Sequence, residues 1–554
     1  MVGNKMKTEA VKRFVQKELN GWWIISMVGA AVILLPILFV FFTLFQEPNE
    51  NWFHMKEYLL KNYILNTFTL VIFTGIVSAF LGVTLAWIVA AYDFPLKNFF
   101  KWGLMLPLAI PPYIAAYTYK AMLGYTGVVQ TTLRNKFDYQ IDAELLSISS
   151  LRGAVFIFAF FLFPYVYIIT KSFLENQSSS YIENARVLGR KPVTIFFKVV
   201  LPLSRPAIVG GIVLVIYEVL SDYGLTSYFG IHTITTAIFQ TWFAMYDVQT
   251  AMRLAAWLMV IIVGLFFLER LLRQRRRYNV NNKSRPLTPM KLKGFSAFGA
   301  FMYCFGVFLI GFFIPFIQLI SWAKLTFAKV WDDSFITLLY QTVYVAIIST
   351  FLILIFAVIV ANVSRKHTPF SFILSKIVTS GYSIPGAIVA IGVLAVFITL
   401  DKWLAPLYSQ MGLGNAPLIL SMSLGMLIVG YAIRFMATGF NAIEVGFEKV
   451  GTKYTEASRI LGNGITKTFF KVDLPLIKGA LASGFILTFV EITKELPLVL
   501  LLRPFNFDTL ATKTYQYAND EQIYEASITS LMIIGISVLS VIVFQIIDRK
   551  KVKQ

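Results

Sequence analysis

Twelve stretches of this chain are each long and apolar enough to form a membrane-crossing helix, which takes about 20 residues. They lie near 22–45, 63–91, 102–122, 151–171, 204–224, 251–271, 295–323, 335–363, 372–400, 417–440, 479–502 and 523–547. Hydrocarbon offers the backbone no hydrogen-bond partners, so each such run must satisfy its own N–H and C=O groups as a helix. The expected fold is therefore an all-α membrane protein with about twelve transmembrane helices. Composition agrees: 57% of residues are apolar and 14% charged, against about a quarter charged in ordinary soluble domains. The third stretch contains Pro107, Pro111 and Pro112. Proline removes a helical N–H and clashes with the preceding turn, so a break is expected there.

The formal charge of +20 does not point to nucleic acid, because the basic residues cluster beside the apolar runs. Lys5, Lys7, Lys12, Arg13 and Lys17 precede the first run. Arg270, Arg273, Arg275, Arg276, Arg277, Lys283, Arg285, Lys291 and Lys293 follow the sixth, and Arg549, Lys550, Lys551 and Lys553 follow the last. An even number of crossings puts all three clusters on one side, and the excess of Lys and Arg makes that side cytoplasmic. Both termini are therefore expected inside the cell, with the chain crossing the membrane several times. The first run exceeds a signal-peptide apolar region and lacks a small-residue cleavage site, so it reads as an uncleaved anchor. A lone cysteine, Cys304, excludes an intrachain disulfide. His54, His232 and His367 are too scattered for a zinc site.

The chain also contains itself twice. Residues 181–203, YIENARVLGRKPVTIFFKVVLPL, and 454–476, YTEASRILGNGITKTFFKVDLPL, are identical at twelve of 23 positions at an offset of 273. Ile110-Pro111 and Pro95 answer Ile384-Pro385 and Pro369 at an offset of 274, and Glu218 and Asp222 answer Glu491 and Glu495 at 273. Six spans per copy give the copies the same orientation, hence a parallel repeat about an axis along the membrane normal. The expected organisation is an N-terminal segment 1–21, a first half 22–271, a linker 272–293, a second half 294–547 and a tail 548–554. Both copies of the motif lie after a half's fourth span, on the cytoplasmic side.

The pattern E-x-A-x-x-x-G followed by L-P resembles the EAA loop of binding-protein-dependent ABC importer permeases. One copy has Glu183, Ala185, Gly189, Leu201 and Pro202; the other has Glu456, Ala457, Gly462, Leu474 and Pro475. Neither spells E-A-A in full, Asn184 and Ser458 being the departures. The resemblance implies a type I importer permease fold of the MetI kind. It also implies that each loop is a coupling helix docking one ATP-binding subunit, so a fused chain takes two copies of that subunit. LPLAIPPYIAAYTY at 106–119, ITTAIFQTWF at 234–243 and KELPLVLLLRPFNFDTLATKTY at 494–515 resemble ferric-iron permeases of that superfamily. The cargo implied is Fe(III) handed over by an extracytoplasmic iron-binding protein. Thiamine, polyamine and phosphonate permeases are alternatives of the same class, and a secondary transporter is a more distant one.

No phosphate-wrapping G-x-x-x-x-G-K-[ST] loop is present. The chain is expected not to be an enzyme and to carry no cofactor, with ATP and Mg on the partner. No residue is assigned a catalytic role and no stable metal site is expected. Ionisable groups inside spans are expensive and mark pathways or pairs. Glu218 and Asp222 are i,i+4 on span five, Glu491 and Glu495 on span eleven, so all four are candidates for the translocation path. Pairing with Lys494 or Arg503, or capping of helix ends by Asp222 and Glu495, is the structural alternative. Arg503, Phe505 and Asp508 follow span eleven and are candidates for an outer gate or binding-protein contact.

Overall fold

A computed structural model of the chain describes residues 21–139, 142, 146–177, 179–274, 287–365, 368–381, 384–413 and 418–552. Lys5, Lys7, Lys12, Arg13 and Lys17, the linker residues 275–286, His367 and Lys553 lie outside the described residues. Among those described, ten helices are long and apolar enough to cross a membrane, and two bent helix pairs bring the number to twelve. In chain order the spans are Gly21–Phe45, Leu60–Ala91, Lys97–Ala109 with Pro112–Phe137, Leu151–Glu175, Pro192–Ser221 and Val248–Glu269. The second set is Phe295–Val330, Asp333–Ser364, Gly386–Gln410, Leu424–Val450, Ile465–Leu476 with Lys478–Thr493, and Ile523–Val543. The fold is all-α, with two parallel six-helix repeats.

Span three breaks where its prolines require, turning by 90° between Ala109 and Pro112. Span nine differs from the expected run at 372–400. A short helix, Pro369–Ser380, precedes it, and the crossing helix starts only at Gly386. The reason is the same in both repeats. Pro111 and Pro385 each sit extended as the N-cap of the next helix, with φ/ψ of −55/144° and −52/142°. A proline also disfavours the helical region for the residue before it, so Ile110 and Ile384 end the preceding segment. The Ile-Pro correspondence thus marks a repeated backbone break.

Span eleven also corrects the sequence expectation. Its helix ends at Thr493, and a separate helix, Pro497–Leu502, follows. In the first repeat the crossing helix ends at Ser221 and Gly224–Tyr228 follows. Asp222 and Glu495 therefore lie beyond the helices that carry Glu218 and Glu491, and no helical face holds either pair.

The chain forms two compact units that do not coincide with its sequence halves. One comprises the described residues of Met1–Gln46, Ile336–Thr509 and Leu539–Gln554, the other those of Glu47–Phe335 and Leu510–Val538. In the first, span one packs on span nine. A Cβ on Gly392 would stand 2.7 Å from the Pro36 carbonyl oxygen, so only glycine permits that approach. In the second, spans two and five both pack on span four. Gly82 and Gly211 meet Val166 from the two sides, where added Cβ atoms would fall 2.6 and 2.7 Å from it. Small residues at helix crossings let backbones approach where no aqueous hydrophobic drive exists. Tyr92–Asp93 pairs in parallel with Met290–Lys291, fixing the end of the linker beside the end of span two.

Candidate functional site

The two repeated loops share one backbone design. The first has a helix Ser179–Val187, a reversal at Gly189 (φ +68°), a turn Pro192–Ile195 and a π-turn Phe196–Val200. The second has a helix Lys453–Ile460, a reversal at Gly462 (φ +84°), a turn Ile465–Thr468 and a π-turn Phe469–Asp473. Gly189 N–H donates to Arg186 O at 2.9 Å and Arg190 N–H to Ala185 O at 3.2 Å. Gly462 N–H donates to Arg459 O at 3.0 Å and Asn463 N–H to Ser458 O at 3.2 Å. This pair of bonds is a Schellman cap, which needs a left-handed residue that glycine supplies without strain. A Cβ at either glycine would meet nothing within 4 Å, so within this chain the requirement is one of backbone conformation and not of space.

The cap projects an apolar tip. Val187 and Leu188 are 87% and 76% exposed, Ile460 and Leu461 86% and 81%. Each turn thus holds two adjacent large aliphatic side chains away from the rest of the chain. The leucine before each glycine, Leu188 and Leu461, is legible in the sequence as a side chain able to enter a partner's pocket, whereas Val187 and Ile460 escape sequence reasoning. Their signal was present in the alignment of the copies, where Val-Leu faces Ile-Leu.

The supports of the loops differ. Glu183 accepts a bond from Thr288 Oγ1 at 2.8 Å, and Arg186 donates to the carbonyls of Thr288 and Ala91 at 3.0 and 3.2 Å. The first loop is therefore tied to the end of the linker. Glu456 and Ala457 are exposed. Behind the second loop, Asp473 takes the place of Val200 and is buried, ion-paired to Arg365 at 3.2 Å and accepting from Thr455 Oγ1 at 2.6 Å. Pro202 sits in the first turn of a helix that runs on from the π-turn, whereas after Pro475 the chain bends by 72°. The same Leu-Pro pair thus continues a helix in the first copy and precedes a bend in the second. Leu201 is partly exposed and Leu474 half-buried.

Removing one member of a buried ion pair leaves the other charge uncompensated, at a cost of about 3 kcal/mol or more. Arg365→Leu is therefore expected to lower the thermal unfolding midpoint of the purified chain in detergent. Arg365→Leu combined with Asp473→Val, the residue of the first copy, should recover most of the loss. Equal midpoints for the single and double variants would contradict this account of the pair.

The four intramembrane acids are each engaged. Tyr165 donates its hydroxyl to Glu218 Oε1 at 3.3 Å, and Glu491 is ion-paired with Lys494 at 2.8 Å. Asp222 accepts from the backbone N–H groups of Leu225 and Thr226 at 3.0 and 3.1 Å, and Glu495 accepts from Leu498 N–H at 3.2 Å. The capping alternative thus describes the geometry of Asp222 and Glu495, at positions equivalent in the repeat. Glu218 and Asp222 belong to one compact unit, Glu491 and Glu495 to the other. Further buried ionisable groups within the spans escaped the sequence reading, Arg434 and Asp401 among them. Arg434 is buried on span ten and donates to the Ile384 carbonyl at the span-nine break. Asp401 is buried on span nine and accepts from Tyr408, Leu420 N–H and Ser421. A single charge in the run 417–440 is the signal that would have found Arg434, whereas Asp401 lies just past the run 372–400, beside Lys402.

After span eleven, Arg503 and Asp508 form an ion pair that closes the turn, and Asp508 N–H donates to Gln341 at 3.4 Å. Phe505 stands on the outside of that turn, 80% exposed. Tyr117 and Tyr119 have their hydroxyls on Ser530 Oγ and the Ile310 carbonyl, at 2.6 and 2.5 Å. Among the described residues no three His, Cys, Asp or Glu side chains come together as a metal site.

Residues 80–278 and again 353–553 match the family described as "Binding-protein-dependent transport system inner membrane component". The matches start 273 residues apart, the spacing of the repeated loop. The Fe(3+)-transport system permease protein of Haemophilus influenzae is 23% identical over 82% of this chain and 83% of its own length. A putative ferric transport system permease protein of the same organism is 22% identical over 78% of this chain and 68% of its own. The molybdenum transport system permease protein of Haemophilus influenzae is 30% identical over 26% of this chain and 61% of its own.

Proposed function

We infer the function from one premise: the chain belongs to the family of binding-protein-dependent transport system inner membrane components, whose unit it carries twice. It is a multi-pass ABC-type permease of the inner membrane. From there we propose that it forms, as a fused subunit, the whole translocation path of an ATP-driven importer for Fe(III). Both termini and both repeated loops face the cytoplasm. Each loop takes one copy of an ATP-binding subunit, which binds ATP and Mg and performs the hydrolysis. An extracytoplasmic binding protein delivers the iron on the opposite face, where Phe505 and the Arg503–Asp508 turn form its contact or the outer gate.

The observation that carries this reading is the repeated capped loop with its exposed aliphatic tip. Two equivalent tips on one chain ask for two equivalent partners. Relatives whose names specify ferric transport support the choice of cargo, as do carboxylates within the spans, since oxygen ligands suit a hard trivalent cation. The relative named for molybdenum transport gives a competing cargo.

Stoichiometry tests the assembly. Native mass measurement of the complex purified from its own membrane should find one copy of this chain with two ATP-binding subunits. Two copies of this chain per pair of those subunits would show that the halves do not make a complete path.

A further inference from the structure

Trp22 opens span one, and its indole N–H donates to Thr466 Oγ1 at 3.3 Å. Its ring lies 4.6 Å from that of Phe469. The start of the first span is thus sewn to the second repeated loop. Between this seam and spans eight and eleven runs an apolar groove of about 850 Å³, walled by Trp22, Phe351, Ile355, Phe470 and Phe485 among others. The rings of Phe351 and Phe485 meet 5.3 Å apart in its wall. Phe351, Ile355 and Phe470 remain more than half exposed. Along span eight the groove extends from Phe351 to Ile359, roughly 12 Å at the helical rise.

Two lysines each stand one residue along the chain from its lining. Lys467 follows the lining residue Thr466 and Lys471 follows the lining residue Phe470, four residues apart. Both are exposed, and neither has an ion-pair partner among the described residues. The first copy has Thr194 and Lys198 at these positions, so only the second loop presents two lysines. An apolar slot whose lining residues Thr466 and Phe470 are each followed by an exposed lysine, beside an indole of the kind that anchors at membrane interfaces, has the two-part chemistry of an anionic lipid.

We propose that the groove holds one anionic phospholipid. An acyl chain lies against Phe351, Ile355 and Phe485, and the phosphate sits at Lys467 and Lys471. The chain's own N-terminal segment is a poor occupant, because Lys5, Lys7, Lys12, Arg13 and Lys17 would add positive charge to two free lysines. The bound lipid touches span one, span eight and the second loop together and so braces that loop. The proposal rests on the orientation inferred above only for the choice of leaflet, which becomes the cytoplasmic one.

Native mass spectrometry of the full chain, delipidated and then titrated with phosphatidylglycerol or phosphatidylcholine, tests it. One phosphatidylglycerol should be retained in preference to phosphatidylcholine. Lys467→Gln with Lys471→Gln should weaken that retention roughly thirtyfold, at the usual contribution of a lysine near an anionic surface. Ala482→Trp, which fills the groove and keeps both lysines, should abolish it. Equal retention of the two lipids, or wild-type retention by both variants, would overturn the proposal. No cargo or ATP-binding subunit enters the measurement, so its failure would leave the transport reading standing, and the reverse.

Discussion

Replacing Gly462 with valine is expected to abolish transport while the chain still inserts normally in the membrane. Gly462 has φ +84°, a region in which a β-branched residue is a genuine outlier. Forcing it there costs about 1–3 kcal/mol, enough to open the turn bonded by Gly462 N–H and Asn463 N–H. The tip formed by Ile460 and Leu461 would then lose its fixed direction, and with it the proposed contact to the ATP-binding subunit. Because a Cβ meets nothing in this chain, Gly462→Asn should keep most of the transport, asparagine being tolerant of the left-handed region. An asparagine variant as dead as the valine variant would move the cause from backbone conformation to crowding in the partner's cleft. Undiminished transport with valine at both Gly189 and Gly462 would remove the coupling role altogether.

The second large effect is expected from Glu218→Gln combined with Glu491→Gln. Glutamine keeps the volume and removes the charge, so the helices should pack as before. Fe(III) uptake by the reconstituted complex in vesicles should fall by roughly tenfold or more, corresponding to about 1.4 kcal/mol of lost attraction. Basal ATP hydrolysis and binding of the partner proteins should stay near wild type. Glu491 already shares its charge with Lys494, so neutralising it also leaves a lysine that opposes a cation. Glu491→Gln with Lys494→Gln separates the two contributions: recovery of uptake would assign the loss to the freed lysine. Unchanged uptake in the Glu218/Glu491 double variant would leave both acids with structural roles only.

Much of this molecule could be read from residue order, because hydrocarbon permits few backbone solutions. Span number, the break at Pro111 and the parallel duplication follow from run length, proline and the 273-residue offset. What escaped depends on contacts between distant segments. One exception is local: Pro385, inside 372–400, signals that helix stops at Ser380 and restarts at Gly386, as Pro111 does in span three. Asp222 and Glu495 looked like members of helical pairs, yet each turns to cap the next short helix, a choice made by the chain beyond the span. The exposed Val187 and Ile460 beside Leu188 and Leu461 escaped because apolar residues near a span look like part of it. The placement of span one with spans eight to eleven likewise depends on close packing such as that of Gly392 on Pro36.

The central claim is that both loops of one chain hold ATP-binding subunits at once, and site-directed cross-linking tests it most directly. With Cys304→Ala removing the only native cysteine, Leu188→Cys and Leu461→Cys place one thiol on each tip. Each single variant should form a cross-link to one ATP-binding subunit. The double variant should give a covalent species of one permease chain with two such subunits. A double variant that never exceeds one subunit per chain, or a tip that cross-links only to a second copy of this chain, would contradict the account.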